Sequence, residues 1–309
     1  MLKNSRSAGI LLILIIFMAI GSLQAQFIIK QVEYTIPISY SLVPEDAQIE
    51  SEEDETLFFM TIPTEKLKQA AMEEGMEVKA KESTIYVDGN KFAVEDNSEM
   101  GKMTVISNAD DGVMYMVMWA QNKVMVVTPD DMKKIEEQTK AMVEESIKSM
   151  SPEMQAQVRA AMEQEKQQKA GAEFSANATG KKMKINGYNC ELYLIEQEEG
   201  NVTGVWAAAD DLKITAEVEK ISEKFSKLFN VGEDEDPDEW SLIKGKLPVE
   251  VREMSLDMSM GEPSFDITAI QKIERANPPA EKFHVPGENE GFKHGSYFDM
   301  MKEMMQGMQ

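Results

Sequence analysis

Val113-Met-Tyr-Met-Val-Met-Trp119, followed by Lys123-Val-Met-Val-Val-Thr-Pro-Asp-Asp131, decides how this chain is read. Strand alternation places Met114, Met116 and Met118 on one face and Val113, Tyr115, Val117 and Trp119 on the other, because successive side chains in a strand point to opposite sides. Both faces are apolar, so the strand is expected to be covered on both. Gln121-Asn122 is short enough to return the chain as an antiparallel neighbour over Lys123 to Thr128. Thr128-Pro-Asp-Asp131 then supplies a helix N-cap, a proline at the first helical position and acids in the first turn.

The same grammar extends in both directions. Upstream, Phe27 to Ile36 reads as an opening strand, and Ser83 to Val94 as two strands joined at Asp88-Gly89-Asn90, a hairpin signal. Lys102 to Ser107 follows. The acid-rich run Glu45 to Glu55 is expected to be a solvated loop. Downstream of the cap, Met132, Ile135, Thr139, Met142, Val143 and Ile147 share one face of a helix, and Ser151-Pro-Glu153 opens a second with Met154, Val158, Ala161 and Met162 as its stripe. This helical insertion, residues 129–169, needs a surface for its apolar side, and the sheet is nearest. Strands resume at Lys182 to Asn186, Asn189 to Gln197 and Val202 to Ala208, with turns at Asn186-Gly187 and Glu199-Gly200-Asn201. A third helix is expected from Leu212 to Phe229, with Ile214, Val218, Ile221, Phe225 and Leu228 on one stripe. Leu247 to Met258 and Phe265 to Ile273 complete the strands. In the former Val249 and Val251 share one parity and Met254, Leu256 and Met258 the other, a phase slip that predicts a bulge. A Gly-rich link and a Met-rich helix over 296–309 close the chain.

At the other end, Lys3 and Arg6, the apolar run Ile10 to Ile20 and Gly21-Ser-Leu-Gln-Ala25 have the layout of a signal peptide cut after Ala25. The run is shorter than the about 20 residues of a membrane span, and no later stretch is long enough. No Cys follows it, which excludes lipid anchoring at a mature N-terminal Cys. Residues 1–25 therefore predict export, to the periplasm or beyond, of one domain over 26–295. Without them the chain has 30 basic side chains (32 less Lys3 and Arg6) and 55 acidic ones, net −25. That balance repels nucleic acid and anionic membrane surfaces.

Catalytic motifs are missing: there is no G-x-S-x-G, H-E-x-x-H, G-x-x-x-x-G-K-[ST] or G-x-G-x-x-G. Cys190, the single cysteine, shares strand parity with Tyr188, Leu192 and Leu194 and reads as a buried small residue. Asp234, Asp236 and Asp238 alternate like the start of a calcium loop, but Glu239 and Gly245 stand where that loop uses Gly and Glu. The unusual component is methionine, at 25 residues. Its flexible, polarizable side chain suits surfaces that accept ligands of variable shape. The tail methionines Met300, Met301, Met304, Met305 and Met308 are thioethers of the kind Cu(I) favours, but only His284 and His294 accompany them.

Thr179-Gly-Lys-Lys-Met-Lys-Ile-Asn-Gly-Tyr-Asn-Cys-Glu-Leu-Tyr193 with Val205-Trp206 resembles the signature of a family of exported bacterial proteins known only as a domain of unknown function. Ile85-Tyr-Val-Asp-Gly-Asn-Lys-Phe92, Met114-Tyr-Met116 and Thr128-Pro-Asp-Asp131 are similar to its first half, and the resemblance covers residues 80 to 290. Such proteins look similar in architecture to the lipoprotein carriers LolA and LolB. The resemblance implies an α+β fold: a strongly curved antiparallel sheet, a half-barrel, with helices packed on its concave face. This chain differs in its length, its acidic N-terminal insertion and its Met-rich tail.

Together these readings predict a non-enzymatic envelope protein, without cofactor or metal, that binds a hydrophobic ligand (an acyl chain, lipid or lipidated peptide) between sheet and helices. The expected lining is Met114, Met116, Met118, Ile135, Met142 and Phe225. Two alternatives remain open: an acidic interaction protein with a dry core, acting through its surface and tail on an unknown partner, and copper handling by the tail methionines.

Overall fold

A computed structural model describes residues 26–44, 51–98, 101–108, 110, 112–169, 176–196, 202–210, 214–215, 243, 245–255 and 263–299. In chain order these form β1 (Gln26–Pro37), α1 (Glu52–Thr61), α2 (Thr64–Glu73), β2 (Lys79–Asp88), β3 (Lys91–Ser98), β4 (Gly101–Asn108), β5 (Val113–Met118) and β6 (Lys123–Val127). Next come α3 (Pro129–Ser149), α4 (Pro152–Lys169), β7 (Ala176–Ile185), β8 (Tyr188–Glu196), β9 (Val202–Ala209), β10 (Lys246–Ser255), β11 (Ser264–Arg275) and β12 (Lys293–Ser296). The fold is mixed α+β, built on one twelve-stranded sheet in the order β12-β6-β5-β4-β3-β2-β1-β11-β10-β9-β8-β7. The sheet is not closed into a barrel.

Local chemistry sets the two meanders. Asn186 and Gly187 both adopt positive φ, 47° and 93°, the left-handed pair that a two-residue hairpin turn needs between β7 and β8. Thr128 caps α3 as expected: its hydroxyl accepts from the Asp131 amide at 3.2 Å, while the Asp131 carboxylate accepts from the Thr128 amide at 3.0 Å. β1 joins the meanders, pairing antiparallel with β2 on one side and β11 on the other. That long-range pairing has no local signal.

Several expectations need correction. The Glu45–Glu55 run is not loop throughout: α1 begins at Glu52, with the Ser51 hydroxyl accepting from the Asp54 amide. Residues 64–73, unassigned in the sequence reading, are also helical. In α1 the run Leu57-Phe-Phe-Met60 carries no helical period, so no stripe betrays it. His294-Gly295 lies in β12 rather than in a link, and β12 runs parallel to β6, the exception in an otherwise antiparallel sheet. The expected bulge is present but sits earlier, between Pro248 and Glu250 opposite β9. As a result Val249 belongs to the main core and Val251 to a cluster on the other face with Ile195, Val205, Ala207 and Ile243.

The bulge brings two charged groups inside. Arg252 is 0% exposed and donates from Nε to Glu250 Oε1 at 2.7 Å. Its Nη1 donates to the carbonyl oxygens of Met60 at 2.9 Å and Ile62 at 2.6 Å, at the C-terminal end of α1. Those carbonyls have no partner within the helix and carry its partial negative charge, so a guanidinium satisfies both needs. Thr64 donates to Glu250 Oε2 at 2.9 Å, and Trp206 Nε1 donates to Met60 O at 3.2 Å. Phe59 and Met60 are fully buried against Trp206, Phe265 and Leu67 in the main core.

A second cluster lies on the opposite side of β2–β6, where Tyr86, Ala93, Ile106, Val117 and Val124 are covered by Phe283, Val285 and Phe292 from the C-terminal segment. No helix among the described residues is long and apolar enough to cross a membrane. The signal segment, the acidic run at 232–239 and the tail from Met300 lie outside the described residues, as does the third helix except for the helical pair Ile214 and Thr215.

Candidate functional site

The two faces of β5 separate as alternation requires. Tyr115 and Val117 pack in the cluster under the C-terminal segment, whereas Met114, Met116 and Met118 take the other face. On that face Met116 stands opposite Val105 of β4 and Met125 of β6, and Met118 stands opposite Met103. Five methionines from three neighbouring strands thus share one patch. Met125 is buried, while Met103, Met114, Met116 and Met118 are only half-buried. Val105 links the patch to the main core through its cross-strand partner Val94.

The helical members of the expected lining are placed less uniformly. α3 springs directly from β6, whose last residue, Val127, pairs with Met114. Its first two turns are tied to the C-terminal segment, because the Ser296 hydroxyl donates to Asp131 Oδ1 at 2.9 Å and the Lys134 ammonium lies 5.7 Å from the Phe298 ring centre. Ile135, in the second turn, is half-buried. Met142, two turns further on, is 45% exposed, and Ile147 is buried. Phe225 lies outside the described residues.

Following the register inward from the methionines reveals what the sequence reading missed. Met118 stands opposite Met103, Met103 opposite Asp96, Asp96 opposite Ser83, and Ser83 opposite Gln31. Directly opposed residues in a ladder share a face, so this is one row across β5, β4, β3, β2 and β1. Gln31 is 1% exposed, and among the described residues neither its Nε2 nor its Oε1 has a hydrogen-bond partner. Asp96 is 4% exposed; Lys81 Nζ lies 2.7 Å from its Oδ2, but its Oδ1 has no partner among the described residues. Buried polar groups are nearly always paired, with protein or with ordered water, so three atoms in one row without a protein partner call for an explanation.

Acid surrounds this row. Glu33 lies opposite Lys81, and burial raises its carboxyl pKa; Lys81 opposes that shift while Asp266 and Asp96 add to it. Glu253 is raised by burial and by the charges of Asp266 and Glu33. Thr35 donates to Asp266 Oδ1 at 2.8 Å. Across the sheet, Cys190 is 2% exposed with its thiol pushed up to about 11 by burial, a packing residue rather than a nucleophile.

The signal for the polar row was a glutamine inside an apolar strand, Ile28-Ile-Lys-Gln-Val32, which strand alternation alone does not separate from a solvent-facing residue.

No family model matches the chain, and no curated protein matches it. Among solved structures it is similar to an uncharacterized conserved protein from Thermus thermophilus, at 6% sequence identity and a TM-score of 0.38, over 89% of this chain and 91% of that one. A likeness at that level says nothing about function.

Proposed function

We propose that this is an exported, non-enzymatic protein that shelters an apolar ligand on the methionine-bearing face of β4–β6. The carrying observation is that Met103, Met114, Met116 and Met118 remain half-buried on a face continuous with the core. A flexible thioether surface adapts to chains of different shape. The chemistry is burial: a twelve-carbon chain gains about 10 kcal/mol gross at about 0.8 kcal/mol per methylene, and association and ordering take back a large part of that. Micromolar binding is the expected scale.

A curved sheet with helices on its concave side suits this reading. Its support is a change of parity shared by three adjacent strands. The main core takes Phe27, Ile29 and then Ile36 from β1, Phe265, Ile267 and then Ile270 from β11, and Leu247, Val249 and then Met254 from β10. Register shifts at Lys30/Gln31 and Pro248/Glu250 accompany it, and bulges bend strands. The similarity of Ile185 to Glu191 to the exported family's signature and the signal-like residues 1–25 point the same way.

Substituting Met116 and Met118 together with Asp tests the reading. Uptake of an environment-sensitive naphthylamine probe should be lost while the melting transition stays cooperative. Probe binding that survives in the folded variant refutes this face as the site. A second reading, an interaction surface on the α3–α4 hairpin, is favoured by the exposure of Met142, Val143 and Met154. Met142→Glu separates the two: loss of probe uptake assigns Met142 to the lining, and unchanged uptake assigns it to an outer face.

A further inference from the structure

We infer that the row Gln31–Ser83–Asp96 is a head-group site that selects a neutral amide, so that the ligand is an N-acyl amine or N-acylated peptide rather than a fatty acid or an anionic lipid. The inference rests on the apolar-site reading and sharpens it.

The Gln31 carboxamide has two N–H donors and one carbonyl acceptor, all unused, and Asp96 Oδ1 is a further unused acceptor. A partner that completes this set must both accept and donate. A trans secondary amide does so by bridging the two residues, its C=O toward Gln31 Nε2 and its N–H, which points the opposite way, toward Asp96 Oδ1. A carboxylate or phosphodiester has acceptors only, so it leaves both acceptors of the row unpaired. It would also enter a neighbourhood that holds Asp96, Glu33, Glu253 and Asp266 against the ammonium of Lys81. A quaternary ammonium suits the charge but brings no donor. Of these head groups the amide answers both observations.

Position joins the head to the tail. Asp96 stands opposite Met103, and Met103 opposite Met118. At about 4.8 Å per strand, Met118 lies about 10 Å from Asp96. An acyl chain leaving an amide held by Gln31 and Asp96 therefore runs straight onto the methionine patch. Sites built to hydrogen-bond a specific polar group reject analogues that leave those groups unpaired, which is how a soft apolar face gains selectivity at one end.

Displacement of the naphthylamine probe from protein purified without detergent tests this, comparing dodecanamide with dodecanoate at pH 7.5. The amide is expected to displace the probe at a concentration at least about tenfold lower. Gln31→Met, which keeps volume and removes the amide, should abolish that preference, dodecanamide then displacing the probe no better than dodecanoate. Asp96→Asn, a near-isostere, should narrow the gap by admitting dodecanoate. Equal displacement by the two ligands in the unaltered protein overturns the head-group inference and leaves the apolar site standing. A preference unchanged in Gln31→Met and in Asp96→Asn also overturns it, an internal water being then the partner of these atoms. Absence of probe binding overturns the apolar-site reading and the inference with it.

Discussion

Arg252 is the side chain whose removal the structure makes most consequential. It is wholly buried, pairs with a Glu250 carboxylate that is itself buried, and donates to carbonyls at the end of α1. Arg252→Met keeps a similar length of apolar stem but strands the Glu250 charge, with the Thr64 hydroxyl as its remaining partner among the described residues. Breaking one side of a buried ion pair costs about 3–5 kcal/mol. The orphaned Ile62 carbonyl adds about 1–3 kcal/mol, whereas the Met60 carbonyl keeps its bond from Trp206. Since about 1 kcal/mol moves the melting temperature by roughly 2–4 °C in a domain of this size class, a fall of roughly 10 °C or more is expected. The double variant Glu250→Leu/Arg252→Met removes the stranded charge and should recover at least half of the loss. Urea unfolding followed by circular dichroism and tryptophan fluorescence measures both, with coincident transitions as the check on two-state behaviour. A single variant within about 1 kcal/mol of the parent, or a double variant no better than the single, refutes the claim that a buried charge pair anchors α1 to the sheet.

Three further outcomes are expected. A Cβ on Gly204 would meet Met60 Sδ at 2.7 Å, so Gly204→Ala should destabilise by about 1–3 kcal/mol, and Met60→Ala in the same chain should make the alanine tolerable. Because burial raises the Glu253 carboxyl above its usual 4.5, the folded state holds its proton more tightly than the unfolded chain, and the stability this provides is lost as pH rises through the folded pKa. Glu253→Gln should therefore raise the melting temperature near pH 7.5, with the gain shrinking as pH falls toward 4.5; a gain independent of pH contradicts the assignment. Cys190, buried and with its thiol near 11, should resist a maleimide at pH 7.5 in the native protein and react fully in urea.

What the sequence carries is local. The alternation of residues 113–119, the Asn186-Gly187 turn and the Thr128 capping box are each written within a few residues, and each has a direct counterpart in the fold. Three things are not written there. The placement of β1 between β2 and β11 depends on pairing residues more than two hundred positions apart. The α1 helix is closed in by the core, and Leu57-Phe-Phe-Met60 therefore shows no period. The inward turn of Glu250 and Arg252 follows from a bulge one pair of residues earlier than the apolar phase slip suggests. Gln31 was hidden for the same reason: its neighbours on β1 change parity around it, so alternation could not assign it a face.

The decisive experiment is native mass spectrometry of the protein, purified without detergent from its own host and followed by organic extraction. A sheltered apolar ligand should give a reproducible adduct of lipid size that disappears on denaturation, is absent from the Met116→Asp/Met118→Asp variant, and yields an N-acyl amide on extraction. A clean mass of the bare chain, obtained while a known lipid carrier handled in parallel keeps its cargo, contradicts it.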